Sequence, residues 1–322
     1  MKAMVYDKYG LPDVLELREV DEPEVTDDGV LVRVRAASVN PVDWHMLTGA
    51  PYLVRTETGL RKPKRQVLGV DFAGTVEAVG RSITEFQPGD EVFGARNGSF
   101  AEYVCVRKAV VPKPANVTFE QAAGVPVAAI SALQGLRDEG RIQTGQNVLI
   151  NGASGGVGTF AVQIAKSFGA EVTGVCSSRN VEIVRSIGAD HVVDYTQDDF
   201  TRNGRRYDLM LDIAGNRSWS DCKRVLTDRG TLVIVGGPKT NRWLGPMGQV
   251  IKVRVASLAG SRKVAAPFLA KTNKEDMAVL QSLLAEEKVK PVIDRRYDLS
   301  EVPEALSYLG EGHAQGKIVI NV

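Results

Sequence analysis

The chain has 322 residues, with 40 Lys and Arg against 39 Asp and Glu for a formal charge of +1, and 43% hydrophobic and 25% charged residues. At roughly 100 to 200 residues per domain there is room for two domains with sizeable cores. The even charge balance and ordinary composition exclude a peptide-scale scaffold and advertise no nucleic-acid or membrane partner.

Cys105, Cys176 and Cys222 are odd in number, far apart and without a CxxC pair, which excludes a disulfide framework or a zinc ribbon and makes a reducing, cytoplasmic setting the expectation. The N-terminus, Met1 to Lys8, lacks the apolar core of a signal peptide, and no apolar run approaches the ~20 residues that span a bilayer. In chain order, the first third is β-rich. Val30 to Ala36 and Gly74 to Val79 alternate or cluster branched residues, Pro88-Gly89-Asp90 sets a tight turn before another strand, and Ser99 to Val106 alternates at period two. Short strands joined by turns predict a compact barrel-like domain.

The texture changes at Thr118, which makes a capping box with Gln121; the alanine-rich stretch from Ala122 to Leu136 predicts a helix interrupted early by Gly124 and Pro126. From Gln146 strands and helices alternate. Asn147 to Ile150, Glu171 to Val175, His191 to Val193, Tyr207 to Leu211 and Thr231 to Val235 read as strands of a parallel sheet covered on both faces. After Pro267, Thr272 and Glu275 predict a second capping box, opening a helix through Met277, Leu280 and Leu284 that Pro291 stops. Lys317 to Ile320 predicts a final strand. This closing segment is too small for a domain of its own and is expected to pack onto the N-terminal one.

Asn151 to Gly158 follows a strand and opens a helix whose apolar residues, Val157, Phe160, Ala161, Ile164, Ala165 and Phe168, share one face. A phosphate needs unobstructed backbone N–H groups and the positive end of a helix dipole, and Gly152, Ala153, Ser154, Gly155, Gly156 and Val157 are placed to supply both. The spacing is GxxGxxG rather than GxGxxG, so the weight rests on the succession of strand, turn, amphipathic helix and second strand. At the end of that second strand Ser177, Ser178 and Arg179 precede any carboxylate, the first being Glu182. They can bond and neutralise a 2′-phosphate, so the expected cofactor is NADP(H) rather than NAD(H).

Ser38 to Asp43, Gly69 to Val76, Pro88 to Val92, Asn151 to Gly158 and Gly316 to Val319, in that order and with matching intervals, resemble the medium-chain dehydrogenase/reductase superfamily. Within it they resemble the zinc-free quinone oxidoreductase, or zeta-crystallin-like, branch. The resemblance implies an α/β protein: a GroES-like β-rich catalytic domain over residues 1–120, a Rossmann doubly wound parallel-sheet domain over 121–264, and a C-terminal segment, 265–322, completing the first. It further implies an active site in the cleft and a homodimer. Where zinc members of the superfamily carry a ligand Cys and a ligand His, this chain has Asn40 and Val70, and no cysteine-rich lobe follows Gly94. His45, His191 and His313 are too scattered to replace those ligands, so no metal is expected.

Without a zinc Lewis acid, interconversion of simple alcohols and ketones is hard, whereas quinones and α,β-unsaturated carbonyls delocalise the incoming charge onto oxygen. The expected reaction is therefore hydride transfer from NADPH to a quinone or enone, with protonation from solvent or a tyrosine. An enoyl-thioester reductase and a nonenzymatic NADPH-binding sensor or structural protein remain as alternatives. By the resemblance, Asn40 is expected to donate to substrate or cofactor and Asp43 to orient it or hold the nicotinamide ribose, against the plainer reading that this segment shapes a turn. Tyr52 can meet a developing oxyanion or be an exposed loop residue. Its loop, Ala50 to Gln66, carries Arg55, Arg61, Lys62, Lys64 and Arg65, a solvated face without the interleaved aromatics of a nucleic-acid site. Tyr195 resembles the family residue beside the adenosine phosphate, Val235, Gly236 and Gly237 end the fifth strand toward the nicotinamide ribose, and Gly260 and Ser261 resemble the segment lining the nicotinamide. Lys317 is a further cofactor contact or simply a strand-opening charge.

Overall fold

The computed structural model describes residues 1–236, 253, 257, 262–265 and 269–322. Gly237, Gly260 and Ser261 lie outside the described residues. The chain forms two compact units: Met1–Ile130 with Thr272–Glu287 and Pro291–Val322, and Ser131–Lys271 with Lys288–Lys290.

The first unit opens with β1 (Lys2–Val5), β2 (Glu16–Glu19) and β3 (Val30–Val39), followed by α1 (Pro41–Thr48) and the short α2 (Arg55–Thr58). Next come β4 (Asp71–Val79), β5 (Glu91–Ala95), β6 (Tyr103–Val106), β7 (Val110–Pro112), α3 (Phe119–Ala123) and α4 (Pro126–Gln134). In the second unit follow β8 (Asn147–Asn151), α5 (Gly156–Ser167), β9 (Glu171–Cys176), α6 (Val181–Ser186), β10 (His191–Asp194), β11 (Tyr207–Asp212), α7 (Trp219–Val225), β12 (Leu226–Ile234) and β13 (Lys263–Val264). The chain then returns to the first unit through α8 (Lys274–Ala285), β14 (Ile293–Asp298), α9 (Val302–Glu311) and β15 (Lys317–Asn321).

In the first unit the sheet runs β14-β15-β3-β4-β5-β7, with β6 also pairing β3. β3 is its centre. Val30, Val32 and Val34 face a core that also holds Phe72, Val92, Leu47 and Ile318, and β3 needs ten residues because it pairs three strands along its length. The C-terminal strand β15 lies antiparallel on β3, with Ile318 opposite Val39 and Val319 opposite Ser38, which joins the tail to the central strand of this sheet. In the second unit β10-β9-β8-β11-β12-β13 is wholly parallel, and its central strands β8, β9 and β11 are buried, largely apolar runs as a sheet covered on both faces requires, whereas the edge strands β10 and β13 are only half-buried or exposed.

Two helix boundaries differ from the sequence expectation. α8 is capped by Asn273, not Thr272: Asn273 is extended at φ −139°, its side-chain oxygen accepts the Asp276 N–H at 2.7 Å, and its Nδ2 donates to the Asp276 carboxylate at 2.9 Å. A shorter Asn–Asp exchange thus replaces the Thr–Glu box one residue upstream. The same helix stops at Ala285, well before Pro291, because Glu287 takes the left-handed conformation at φ 55°. Thr118 and Gln121 do exchange hydrogen bonds at the start of α3, and the following helical stretch breaks at Gly124 and restarts at Pro126. No helix among the described residues is long and apolar enough to cross a membrane.

Candidate active site

In the second unit the strand order reverses direction between β8 and β11, and in open parallel sheets ligands bind outside the carboxyl ends of the strands at such a point. The glycine-rich turn lies there. Gly152 has φ +92°, which a side chain resists, and a Cβ on Gly158 would meet the Gly152 carbonyl oxygen at 2.0 Å, so glycine is required for α5 to pack this close to the end of β8. A Cβ on Gly155 would make only an ordinary contact, with the Gly152 carbonyl oxygen at 3.8 Å, and Gly155 is the N-cap of α5 with no side-chain cap. The first-turn amides of Gly156 and Val157 are therefore left to an anion, and the cradle fits a dinucleotide pyrophosphate.

The neighbouring strand ends extend the cradle. Asn180 donates to the Ser154 hydroxyl at 2.8 Å, tying the glycine turn to the Ser177–Asn180 segment. Arg179 is exposed, and Tyr195, 53% exposed, follows β10 with its N–H on the Cys176 carbonyl. The Ser178 hydroxyl donates to Asp194 and shares a hydrogen bond with Thr196, and these partners hold the Asp194 carboxyl below the usual carboxylate range. Asp194 was not legible as a neighbour of Ser178, since only the parallel pairing of β10 with β9 brings them together. Val235 and Gly236 both direct their N–H groups to the Asp212 carbonyl. Asp212 is another residue the sequence reading missed: buried at the end of β11, its carboxylate accepts from Asn151 Nδ2 at 2.8 Å and the Gly215 N–H at 2.9 Å, joining the two strands at the reversal. Burial pushes the thiols of Cys176 and Cys222 up to about 11 and about 12, which makes them inert fillers.

In the first unit the strand register gathers Ser38, Asn40, Asp71 and Lys317 at one end of the sheet. Asn40 is the N-cap of α1, and its own N–H donates to the Asp43 carboxylate at 2.7 Å, one half of a capping box. Its side chain is engaged on both sides: Nδ2 donates to Asp71 Oδ2 at 2.8 Å and to the Ser38 carbonyl at 3.3 Å, and Oδ1 accepts from Lys317 Nζ at 2.6 Å. The Lys317 ammonium, on a residue 3% exposed, is thus turned inward. Asp43 is fully buried, and the loss of solvent pushes its carboxyl up to about 8 despite the Asn40 N–H. Among the described residues no three His, Cys, Asp or Glu side chains gather as metal ligands would.

Tyr52 is 36% exposed, and the Arg55 guanidinium lies 4.8 Å from the centroid of its ring and 4.6 Å from that of Tyr9, while Arg55 Nε donates to the Gly49 carbonyl. This basic residue fastens the loop instead of belonging to a solvated face. Arg61, Lys62, Lys64 and Arg65 are exposed.

The alcohol dehydrogenase GroES-like domain family matches residues 26–115, and the zinc-binding dehydrogenase family matches residues 187–320. The chloroplastic quinone oxidoreductase QR1 of Triphysaria versicolor is 33% identical over 338 residues, spanning 99% of this chain and 98% of that protein. The chain belongs to the zinc-free quinone oxidoreductase branch of the medium-chain dehydrogenase/reductase superfamily. The chloroplastic NADPH-dependent alkenal/one oxidoreductase of Arabidopsis thaliana is 34% identical over 343 residues, covering 99% of this chain and 79% of that one. The structure of the quinone oxidoreductase from Coxiella burnetii, 31% identical, matches with a TM-score of 0.86 over 100% of this chain and 99% of its own. Asn40 and Val70, which the resemblance led us to expect at the two zinc-ligand positions, are engaged in the buried cluster and packed in the apolar core, respectively.

Proposed function

We propose that the protein reduces a quinone or an α,β-unsaturated carbonyl with NADPH and without a metal. The observation that carries the reading is the uncapped, glycine-lined start of α5 beside the Ser177–Arg179 segment, in a chain that covers relatives named for quinone and alkenal/one reduction almost from end to end. NADPH, when bound, supplies the hydride. Gly152, Ala153, Ser154, Gly155, Gly156 and Val157 receive its pyrophosphate, Ser177, Ser178 and Arg179 the 2′-phosphate side, Tyr195 the adenosine, and Val235 and Gly236 the ribose next to the nicotinamide.

On the acceptor side Asn40 and Asp43 set the start of α1, and Tyr52 offers a hydroxyl to the oxygen on which a conjugated acceptor gathers charge. Hydrogen-bond donors suffice for such an acceptor because conjugation spreads the charge that a simple ketone would concentrate. The proton that completes the two-electron reduction comes from solvent or from Tyr52. The three cysteines are unpaired, as suits a reducing cytosol, and the family resemblance suggests a homodimer. Cell fractionation and light scattering test these two assignments.

The test is NADPH oxidation by chelator-treated protein with 9,10-phenanthrenequinone, 1,4-benzoquinone, a 2-alkenal and a simple ketone. Turnover of a quinone or the alkenal but not the ketone is expected. Activity only on the ketone, activity only after zinc is added, or tight NADPH binding with no turnover of any acceptor would each overturn the proposal.

A further inference from the structure

We propose that Asp71 and Lys317 form a buried ion pair that serves as a positioning device: bridged by the Asn40 side chain, it holds the start of α1, and Asp43 with it, in one arrangement. The link to catalysis rests on the acceptor-side reading above; the geometric claim stands by itself.

Four segments of the first unit end on this pair. Asp71 opens β4, Lys317 opens β15, Ser38 and Val39 close β3, and Val127 lies in the first turn of α4. Asp71 Oδ2 accepts from Asn40 Nδ2 at 2.8 Å and Ser38 Oγ at 3.1 Å and lies 3.7 Å from Lys317 Nζ, while Oδ1 accepts the Val127 N–H at 3.1 Å. Lys317 Nζ donates to the Val39 carbonyl at 3.1 Å as well as to Asn40 Oδ1. The Asn40 amide therefore points its oxygen at the cation and its nitrogen at the anion, and neither end can be exchanged without opposing both charges.

The same cluster defines the state of Asp43. One ammonium serves two carboxyl groups that are both fully buried. Asp71 has Lys317 and three hydrogen-bond donors, whereas Asp43 has the Asn40 N–H on Oδ2 and nothing on Oδ1, which is buried without a partner. Charge balance in a dry site then puts a proton on Asp43 and leaves Asp71 ionised. A buried ion pair is a poor device for stability alone, because apolar side chains of similar shape do as well without the desolvation cost. It does impose direction, which packing does not.

The experiment compares the wild type with Asp71→Asn, Lys317→Met and the double variant. Each single change leaves a buried charge without its counter-charge and is expected to lower the thermal midpoint; the double variant is expected to recover most of that loss. In the folded double variant, amide hydrogen exchange over residues 40–48 is expected to speed up at least about tenfold while that of α5 stays unchanged. Its kcat with the best quinone or alkenal is expected to stay down by on the order of 10²-fold, the scale of a displaced catalytic group, with NADPH affinity within about twofold of wild type. Unchanged exchange over residues 40–48 would overturn the proposal, and so would a double variant with wild-type kcat, since the pair would then be a packing element only. A wild type inactive toward every quinone and alkenal would remove the functional reading instead, and the exchange comparison would still decide whether the pair orders α1.

Discussion

In the proposed cofactor site the Ser178 hydroxyl already bonds Asp194 and Thr196, so Ser177 and the exposed Arg179 guanidinium are the groups expected to carry most of the discrimination between NADPH and NADH. A guanidinium bonded to a phosphate is worth about 1.5–3 kcal/mol, so Arg179→Ala is expected to weaken NADPH about 10- to 100-fold and leave NADH nearly unchanged, read by fluorescence titration. Equal losses for both nucleotides would remove Arg179 from the 2′-phosphate site. Gly158 is constrained differently. Its Cβ would collide with the Gly152 carbonyl, which forces the glycine turn to shift, so Gly158→Ala is expected to cost about 1–3 kcal/mol in denaturant unfolding and to weaken nucleotide binding.

At the scale of elements, helix starts were legible where the cap and its partner sit in one contiguous signature, as at Thr118 and Gln121. They were less legible in Thr272-Asn273-Lys274-Glu275-Asp276, where two overlapping signatures compete and the structure selects Asn273 with Asp276. Asp276 is buried, and its exchange with Asn273 satisfies both side chains, which the more exposed Glu275 cannot offer. Asn273→Ala is expected to destabilise α8 by about 1 kcal/mol and Thr272→Ala by a few tenths at most, measured as shifts in the unfolding midpoint. The reverse order would restore the upstream cap.

For the whole molecule the buried carboxyls give stability a pH dependence of definite sign. Folded Asp43 keeps its proton up to about 8 because burial disfavours the carboxylate, whereas the unfolded chain releases it near the ordinary value of 3.8. Unfolding between those values releases a proton, so this residue's contribution falls as pH rises through the window and levels off above about 8. Asp43→Asn titrates in neither state. Its thermal midpoint is therefore expected to decline less than that of the wild type between about pH 5 and about pH 8, and parallel declines would show that Asp43 is ionised in the fold.

The sequence by itself determined the two architectures, because period-two runs, the strand and helix alternation after Gln146 and the glycine turn are local patterns whose physics acts within a few residues. It also offered candidates for the two ends of the chemistry: glycines and a basic residue for a phosphorylated dinucleotide, and, through the family resemblance, Asn40 and Val70 where zinc members are expected to carry ligands. Only the tertiary structure decided what those residues touch. Asp71 meets Asn40 across β3 and β4, Lys317 reaches Asn40 from a strand 277 positions away, and Asp194 reaches Ser178 through the pairing of β10 with β9. Such partnerships depend on strand register and on the exclusion of water from a packed sheet end, and neither quantity is written in any short stretch of chain.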